Sequence, residues 1–342
     1  MGKYIDIDDV VKTKRKIVPT IIKRFFICLS VLIVSFLILF FGATTIVCYG
    51  PSPSARDLFV TTVMETSAAK FLAKIYYSDA EISNIMAKNS TVIVDEVTDE
   101  NLIDIPTNAG VQKNIDPIQV FDVTGSTYKG KMMIVQDPSR VIVAVPPSLG
   151  TGAPGIKIDQ LVKNENGVAG INAGGFNDTT GTGNGGEAIG IIIKDGKIVA
   201  DTTKGPHSVV GFDNDNKLIV GYMNAQKCLE KNMRDAVSFG PIFIVNGKRA
   251  QVVGTGGGLN PRTCIGQTQD GSVLLLTIDG RQAASLGATY EDCIEVLEQY
   301  GAVNAANLDG GSSTIMYYNG EFINVSASVY GPRKLPSAFV VK

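Results

Sequence analysis

The sequence predicts an α+β fold: a strand-rich mixed-sheet domain over 115–342 with one or two helices, preceded by a transmembrane helix at 25–49 and a short helical stalk. Three observations predict it. The run from Phe25 to Tyr49 carries no charged residue and is long enough to cross ~30 Å of hydrocarbon as a helix. From Ile118 onward, short β-branched runs alternate with turn residues, as strands do. Among them lies one clear amphipathic stretch of helical period, Tyr290 to Tyr300.

Taken in order, residues 1–24 hold seven basic side chains (Lys3, Lys12, Lys14, Arg15, Lys16, Lys23, Arg24) against Asp6, Asp8 and Asp9. The positive-inside bias therefore keeps the amino terminus cytoplasmic and sends everything after Gly50 outward, as a single-pass cell-membrane protein. A cleaved signal peptide is the competing reading, but the apolar stretch exceeds the usual h-region and no A-x-A-like site follows it. Cys48 lacks the small preceding residue that lipoprotein processing wants, since Val47 stands there.

Residues 50–114 read as stalk and linker. Ser54 with Asp57 reads as a capping box opening a helix through about Ala73, and a second helix starts at Ser78, capped by Glu81. A polar linker then runs to about Asn114, and few groups of chemical interest are expected in this region.

The domain from 115 shows strand patterns at Ile118 to Val123, Lys131 to Val135, Val141 to Val145, Ala188 to Lys194, Lys197 to Val199, Leu218 to Tyr222, Ile242 to Val245 and Val273 to Ile278. Asp195-Gly196, Asn246-Gly247, Asp270-Gly271 and Asn319-Gly320 supply hairpin signals. The helix from Tyr290 presents Cys293, Val296, Leu297 and Tyr300 on one face and stops at Gly301, and a further helix is read near Ile158 to Asn164.

Composition narrows the partners. Leaving out the residues before Phe25 lowers the formal net charge from −2 to about −6 with no basic block, so no nucleic acid is expected. Gly254-Thr-Gly-Gly-Gly258 lacks the context and the Gly-Lys-Ser/Thr ending of a P-loop, so no nucleotide is expected either; it reads as a phosphate nest or a flexible flanking loop. Cys228, Cys264 and Cys293 are odd in number and widely spaced, which fits small buried hydrophobes rather than disulfides or a zinc site. Scattered acids such as Asp178 and Asp309 allow calcium or magnesium through oxygen ligands, without EF-hand-like spacing in support. No cofactor is certain and the metal question stays open.

The chemistry concentrates in glycine-rich loops. Asn307-Leu-Asp-Gly-Gly-Ser-Ser-Thr314 places Asp309, Gly310, Gly311 and the hydroxyls of Ser312, Ser313 and Thr314 on one turn, where backbone N–H groups and hydroxyls can converge on an anionic oxygen. A strand-to-strand turn with polar decoration is the bland alternative. Gly170-Ile-Asn-Ala-Gly-Gly-Phe-Asn-Asp178, Gly181 to Glu187, and Asn260 to Gly266 running into Asp279-Gly-Arg281 make three more such segments. Asn172, Asn177 and Asp178 suit ring hydroxyls, and Arg262 and Arg281 are forked donors that match phosphate oxygens.

These motifs, with Asn-Pro-Arg-Thr, Ile-Asp-Gly-Arg, a Gly-Ala-Thr helix start and Asn-Leu-Asp-Gly-Gly-Ser-Ser in this order, closely resemble the phosphodiester glycosidase family, which includes the lysosomal enzyme uncovering mannose 6-phosphate. The likeness covers about Ile118 to Lys342 and looks like that of bacterial members associated with exopolysaccharide biosynthesis. Ser312 stands where a third glycine is common in the family, and Cys264 where alanine is frequent. The resemblance implies cleavage of an N-acetylglucosamine-1-phosphodiester, or a related glycosyl-1-phosphodiester, of a surface polymer, freeing the sugar and leaving a phosphomonoester.

On that basis Arg262 and Arg281 are expected on phosphate, Asp309 and Glu187 as the carboxylate pair, and Asn172 with Asp178 on the sugar. Gly174, Gly175, Gly310, Gly311, Ser312, Ser313 and Thr314 complete the expected binding surface, and His207, the only histidine, is the candidate base. Each has a structural alternative: Arg262 bridging strands, Arg281 pairing with Asp279 or Glu291, Glu187 as a solvated loop charge, Asp309 as a turn cap, and His207 as a satisfied residue at a strand start. A non-catalytic module that binds phosphorylated glycans is the rival reading of the whole.

Overall fold

The computed structural model describes residues 7–66, 69–92, 96–105, 118–178, 184–328 and 330–342, with side chains described from 21 onward. The chain divides into two compact units, Met1–Arg56 and Asp57–Lys342. In the first, one helix runs Ile7–Tyr49. Its portion Ile21–Tyr49 is apolar and long enough to cross a membrane, and it leaves Phe25, Phe36 and Leu39 exposed, which makes it a candidate membrane span or signal sequence. Lys3 and the side chains of Lys12, Lys14, Arg15 and Lys16, which set the expected orientation, lie outside the described set.

The helix expected through Ala73 is two helices, Pro53–Met64 and Lys70–Lys74. The Thr66 hydroxyl donates to Val63 O at 2.8 Å and accepts from Ala69 N–H at 2.9 Å, so a side chain takes over backbone partners and the first helix stops. Its start is served by Ser52, whose Oγ accepts from Ala55 N–H at 3.3 Å, rather than by Ser54. Helix Asp79–Ala87 has the expected reciprocal capping box of Ser78 and Glu81. Val60, Val63, Ala73, Ile82 and Ile85 pack into a small core of their own. The expected boundary at 114/115 falls outside the described residues, and the compact unit already begins at Asp57.

Three sheets follow. The first has seven strands in the order 118–124, 129–135, 273–278, 262–268, 302–308, 242–245 and 248–249. The second runs 321–322, 316–318, 169–172, 338–341 and 141–144, and the third 197–201, 191–194, 233–238, 207–213 and 218–223. The strand-rich α+β fold is as expected, and every strand pairing among the described residues is antiparallel. Three of these pairings are closed by tight turns. Asp195-Gly196, Asn246-Gly247 and Asn319-Gly320 each hold positive φ at both residues, the geometry that closes a two-residue hairpin.

The inner faces share one core in which Ile265 and Leu275 of the first sheet meet Ile171 and Phe339 of the second and Val210 and Phe212 of the third. Phe212 and Phe339 meet edge to face at 6.2 Å. The outer face of the first sheet is covered by helix Tyr290–Gln299, whose Cys293, Val296 and Leu297 pack on Leu274, Leu276 and Cys264. Thr289 and Asp292 form its capping box, and Gly301 at φ 81° ends it. Helix Ile158–Asn164 covers the second sheet through Ile158, Leu161 and Val162. A third helix, Ala225–Glu230, was not signalled by its apolar period; the Asn224 side chain caps it by accepting from Lys227 N–H at 2.8 Å.

Candidate active site

Strand Ala302–Leu308 is buried along most of its length and delivers the next residue, Asp309, to the floor of a cleft. The turn after it is fixed from below. Asp309 N–H donates to Ala173 O at 2.9 Å, and Gly311 N–H to Pro261 O at 2.9 Å. Asn172 Nδ2 donates to Asp309 O. Asn172 Oδ1 accepts from Thr263 Oγ1 at 2.8 Å and from Ile315 N–H at 3.0 Å. Gly311 sits at φ 61°, and a Cβ there would stand 3.1 Å from the Arg281 guanidinium, so glycine is what lets that arginine lie against the turn.

Two hollows meet at Asp309. One, of about 400 Å³, is lined by Asp178, Arg281, Asp309, Gly310, Gly311, Ser312, Ser313 and Arg333, with Glu65, Lys70, Phe176, Asn177 and Ile189. The other, of about 360 Å³, is lined by Gly175, Thr203, His207, Ser208, Ser238 and Phe239, and shares Phe176, Ile189 and Asp309 with the first. The first is ionic and the second is built from aromatic, hydroxyl and backbone groups.

The arginines of the ionic hollow carry unused donors. Arg333 pairs with Asp178 at 2.7 Å, donates from Nη1 to Ser312 Oγ at 3.1 Å, and lies over the Phe176 ring at 5.0 Å. Its side chain is only 9% exposed, and its Nη2 has no hydrogen-bond partner among the described residues. Arg281 donates from Nη2 to Asn260 Oδ1 and to Glu65 O, both at 3.1 Å, while its Nε is likewise buried without a partner. It also holds φ 58°, an unfavourable backbone state for a non-glycine residue. Buried donors left open in this way cost stability and call for an acceptor.

Burial pushes the Asp309 carboxyl up to about 6, and the charge of Asp178 adds to the rise. The Ser313 hydroxyl, the Arg333 guanidinium and Gly310 N–H pull the other way without cancelling it. Asp309 therefore titrates close to neutrality, where a carboxylate works as a base or as a charge that stabilises a cationic centre.

The expected residues divide by position. Asp178, Arg281, Asp309, Gly310, Gly311, Ser312 and Ser313 come together in the ionic hollow, with Gly175 and His207 in the adjoining one. His207 Nε2 lies 2.7 Å from Thr203 Oγ1. Asn172, Gly174, Thr314 and Arg262 are buried beneath the cleft and are not among the residues lining either hollow. Gly174 N–H donates to Ser337 Oγ at 3.0 Å.

The donors of Arg262 are spent on protein: Nε to Ala288 O, Nη1 to Glu65 at 2.7 Å, and Nη2 to Gly257 O and Gly258 O. The glycine run 254–258 thus faces an arginine with its carbonyls. Glu187 lines neither hollow, and its Oε1 lies 3.5 Å from Thr151 Oγ1. Gly181 to Gly183 of its loop lie outside the described residues. Of the acids expected at the site, the one that lines the same hollow as Asp309 is Asp178.

Arg333, Glu65 and Lys70 are site residues that sequence reasoning missed. Arg333 follows Gly331-Pro332, a turn signal that places it in a loop and says nothing of its aim. Asp279 holds neither Arg281 nor its own turn; its Oδ1 accepts from Asn324 Nδ2 at 3.2 Å and Val325 N–H at 3.0 Å. Among the described residues no group of three or more His, Cys, Asp or Glu side chains is placed to hold a metal ion.

The family profile described as phosphodiester glycosidase matches residues 165–342, more than half of the chain. The chain belongs to the phosphodiester glycosidase family. It is 32% identical over 174 residues to the SPbeta prophage-derived uncharacterized protein YomE of Bacillus subtilis (strain 168), covering 48% of this chain and 26% of that one. To the N-acetylglucosamine-1-phosphodiester alpha-N-acetylglucosaminidase of Mus musculus it is 26% identical over 239 residues, covering 63% of this chain and 45% of that one. The phosphodiester glycosidase chain thus spans less than half the length of either relative.

Among solved structures, the zebrafish N-acetylglucosamine-1-phosphodiester alpha-N-acetylglucosaminidase catalytic domain, auto-inhibited by its pro-peptide, superposes with TM-score 0.57 at 22% identity. That match covers 67% of this chain and 85% of that one, and it shows a shared fold. The family assignment supports a hydrolase-type function.

Proposed function

We propose that this phosphodiester glycosidase hydrolyses glycosyl-1-phosphodiesters, N-acetylglucosamine-1-phosphodiester or a close relative, carried by cell-surface polysaccharide outside a membrane in which residues 25–49 anchor it. The observation that carries the reading is the pair of open guanidinium donors, Arg281 Nε and Arg333 Nη2, on residues that line the same hollow as Asp309.

In this reading the phosphate sits against Arg281 and Arg333, whose fixed donors take up the charge that grows on the leaving group. The sugar occupies the second hollow, its anomeric carbon beside Asp309. The bond between that carbon and the phosphate oxygen breaks, and the electron pair leaves with the phosphate. The ionised Asp309 stabilises the oxocarbenium-like centre and accepts a proton from the attacking water, which becomes the new anomeric hydroxyl. Phosphate leaves as an anion and needs little protonation, so the hollow supplies cations where glycosidases of alkoxide leaving groups supply an acid.

The test is turnover of the methyl diester of N-acetylglucosamine-1-phosphate, followed by mass spectrometry of free sugar and methyl phosphate. Turnover in the wild type that drops at least about 100-fold in Asp309→Asn and in Arg333→Ala supports the reading. Saturable binding of the diester with no product from the wild type overturns hydrolysis in favour of a glycan-binding module.

A further inference from the structure

The segment that follows the apolar helix does more than connect. Thr61 Oγ1 lies 3.0 Å from Thr255 Oγ1, Leu259 N–H donates to Thr62 Oγ1 at 3.1 Å, and Thr255 N–H donates to Asn89 Oδ1 at 2.8 Å. Backbone bonds from Gly257 N–H to Asn89 O and from Val253 N–H to Ser90 O, each 2.8 Å, extend the seam. Thr61 and Asn89 are buried in it. A Cβ on Gly258 would come within 2.7 Å of Thr61 Oγ1 and Thr62 N, so the glycine run is shaped to this segment.

At the end of the seam lies Glu65. Its carboxylate takes Arg262 Nη1 at 2.7 Å and the Tyr290 hydroxyl at 3.1 Å, while the Arg262 guanidinium stacks 4.4 Å from the Tyr290 ring centre. The Glu65 carbonyl, on the same residue, accepts from Arg281 Nη2. Burial and the neighbouring Arg262 charge both pull the Arg281 pKa down, and Glu65 opposes them. One residue therefore anchors the helix end to a buried cation, aims its carbonyl at a second, and separates two guanidinium charges that would repel. Five residues on, the exposed Lys70 lines the same hollow.

We infer that residues 57–66 together with Lys70, outside the stretch matched by the family profile, are a working wall of the anion-binding hollow: Glu65 is the positioning residue for Arg281, and Lys70 is a third cation for the substrate phosphate. This rests on the proposed function in taking phosphate as the ligand. A carbonyl contact alone leaves Arg281 free to swing, whereas the Glu65–Arg262–Tyr290 cluster fixes where that carbonyl stands. Lys70 is a compact point charge on a flexible stem, suited to long-range attraction rather than forked recognition.

The experiment measures binding of inorganic phosphate by calorimetry, and KM and kcat on the methyl diester, in the 342-residue chain and three variants. Glu65→Gln removes the charge while keeping the shape, and is expected to weaken phosphate binding about tenfold and to lower kcat/KM on the diester by a like factor, since the same arginine meets both ligands. Lys70→Ala, at an exposed position that the fold does not need, is expected to raise Kd about threefold and flatten its dependence on salt. Arg333→Ala reports on the hollow itself.

Wild-type binding that is lost in Arg333→Ala but unchanged in Glu65→Gln and Lys70→Ala overturns this inference and leaves the functional reading standing. No phosphate binding by the wild type overturns both. Faster turnover in either segment variant also overturns it, since the segment would then be an obstruction. If Glu65→Gln fails to fold, the Lys70→Ala result decides alone.

Discussion

Asp309→Asn tests the central carboxylate in two independent ways. Its carboxyl is held at about 6 against an ordinary 3.8, and each pH unit of such a difference corresponds to about 1.36 kcal/mol. Ionising Asp309 in the folded protein therefore costs up to about 3 kcal/mol, a ceiling because the group reaches the water of the cleft. The sign follows from proton binding. Between pH 3.8 and about 6 the native state holds the proton that the unfolded state has released, so stability falls as pH rises through that window and is level above it. An asparagine side chain carries no such charge.

At pH 7.5 the Asp309→Asn variant should melt above the wild type, by roughly 2 °C per kcal/mol for a unit of this size, and the gap should close below about pH 4. Differential scanning fluorimetry across pH 3.5–8 reads this directly. In the same variant turnover should fall at least about 100-fold, and the acid limb of the wild-type kcat/KM profile should bend near pH 6. Equal melting temperatures of the two proteins at pH 7.5, or wild-type turnover flat from pH 5 to 8, would refute the picture of a strained, reactive carboxylate.

Other perturbations address other parts. Arg333→Lys should not restore the phosphate affinity lost in Arg333→Ala, because the donors of an ammonium radiate from one nitrogen and do not reproduce the planar fork that holds Asp178 and Ser312 on one arm and leaves Nη2 on the other; calorimetry with phosphate decides. Gly258→Ala, at φ 70° and against Thr61 and Thr62, should cost about 1–3 kcal/mol in urea unfolding and raise KM as the segment shifts. Leu297→Ala should cost about 2–5 kcal/mol by leaving a cavity under the outer helix, with KM of the folded fraction unchanged.

The strand-rich domain was legible because its hairpins are written in local chemistry: Asp195-Gly196, Asn246-Gly247 and Asn319-Gly320 need only their own backbone states to declare themselves. The strands that escaped notice lack such writing. Ala302–Leu308 reads Ala-Val-Asn-Ala-Ala-Asn-Leu, small and amide side chains without β-branched alternation, and becomes a strand because it is sandwiched between 262–268 and 242–245.

The same divide runs through the site. The Asp309 turn announced itself through composition, as did Asp178 and Arg281. Nothing local distinguishes Arg281, with an open donor, from Arg262, whose Nε, Nη1 and Nη2 are all taken by a carbonyl or a carboxylate; only the long-range approach of Glu65 separates them. Arg333 joins the hollow across a distance in sequence that no periodicity encodes.

Strand Ala338–Val341 pairs on one side with Val141–Ala144 and on the other with Ala169–Asn172. During synthesis those two partners are therefore made roughly 195 and 165 residues before the strand that joins them, and both wait with bare edges. The Asp309 turn hangs from the strand Ala169–Asn172 through Asn172 and Ala173. A nascent chain held back before residue 338 thus has all of Asp309, Arg281 and Arg333 yet no completed sheet to hold them, and an open sheet of that kind is a target for chaperones and for aggregation.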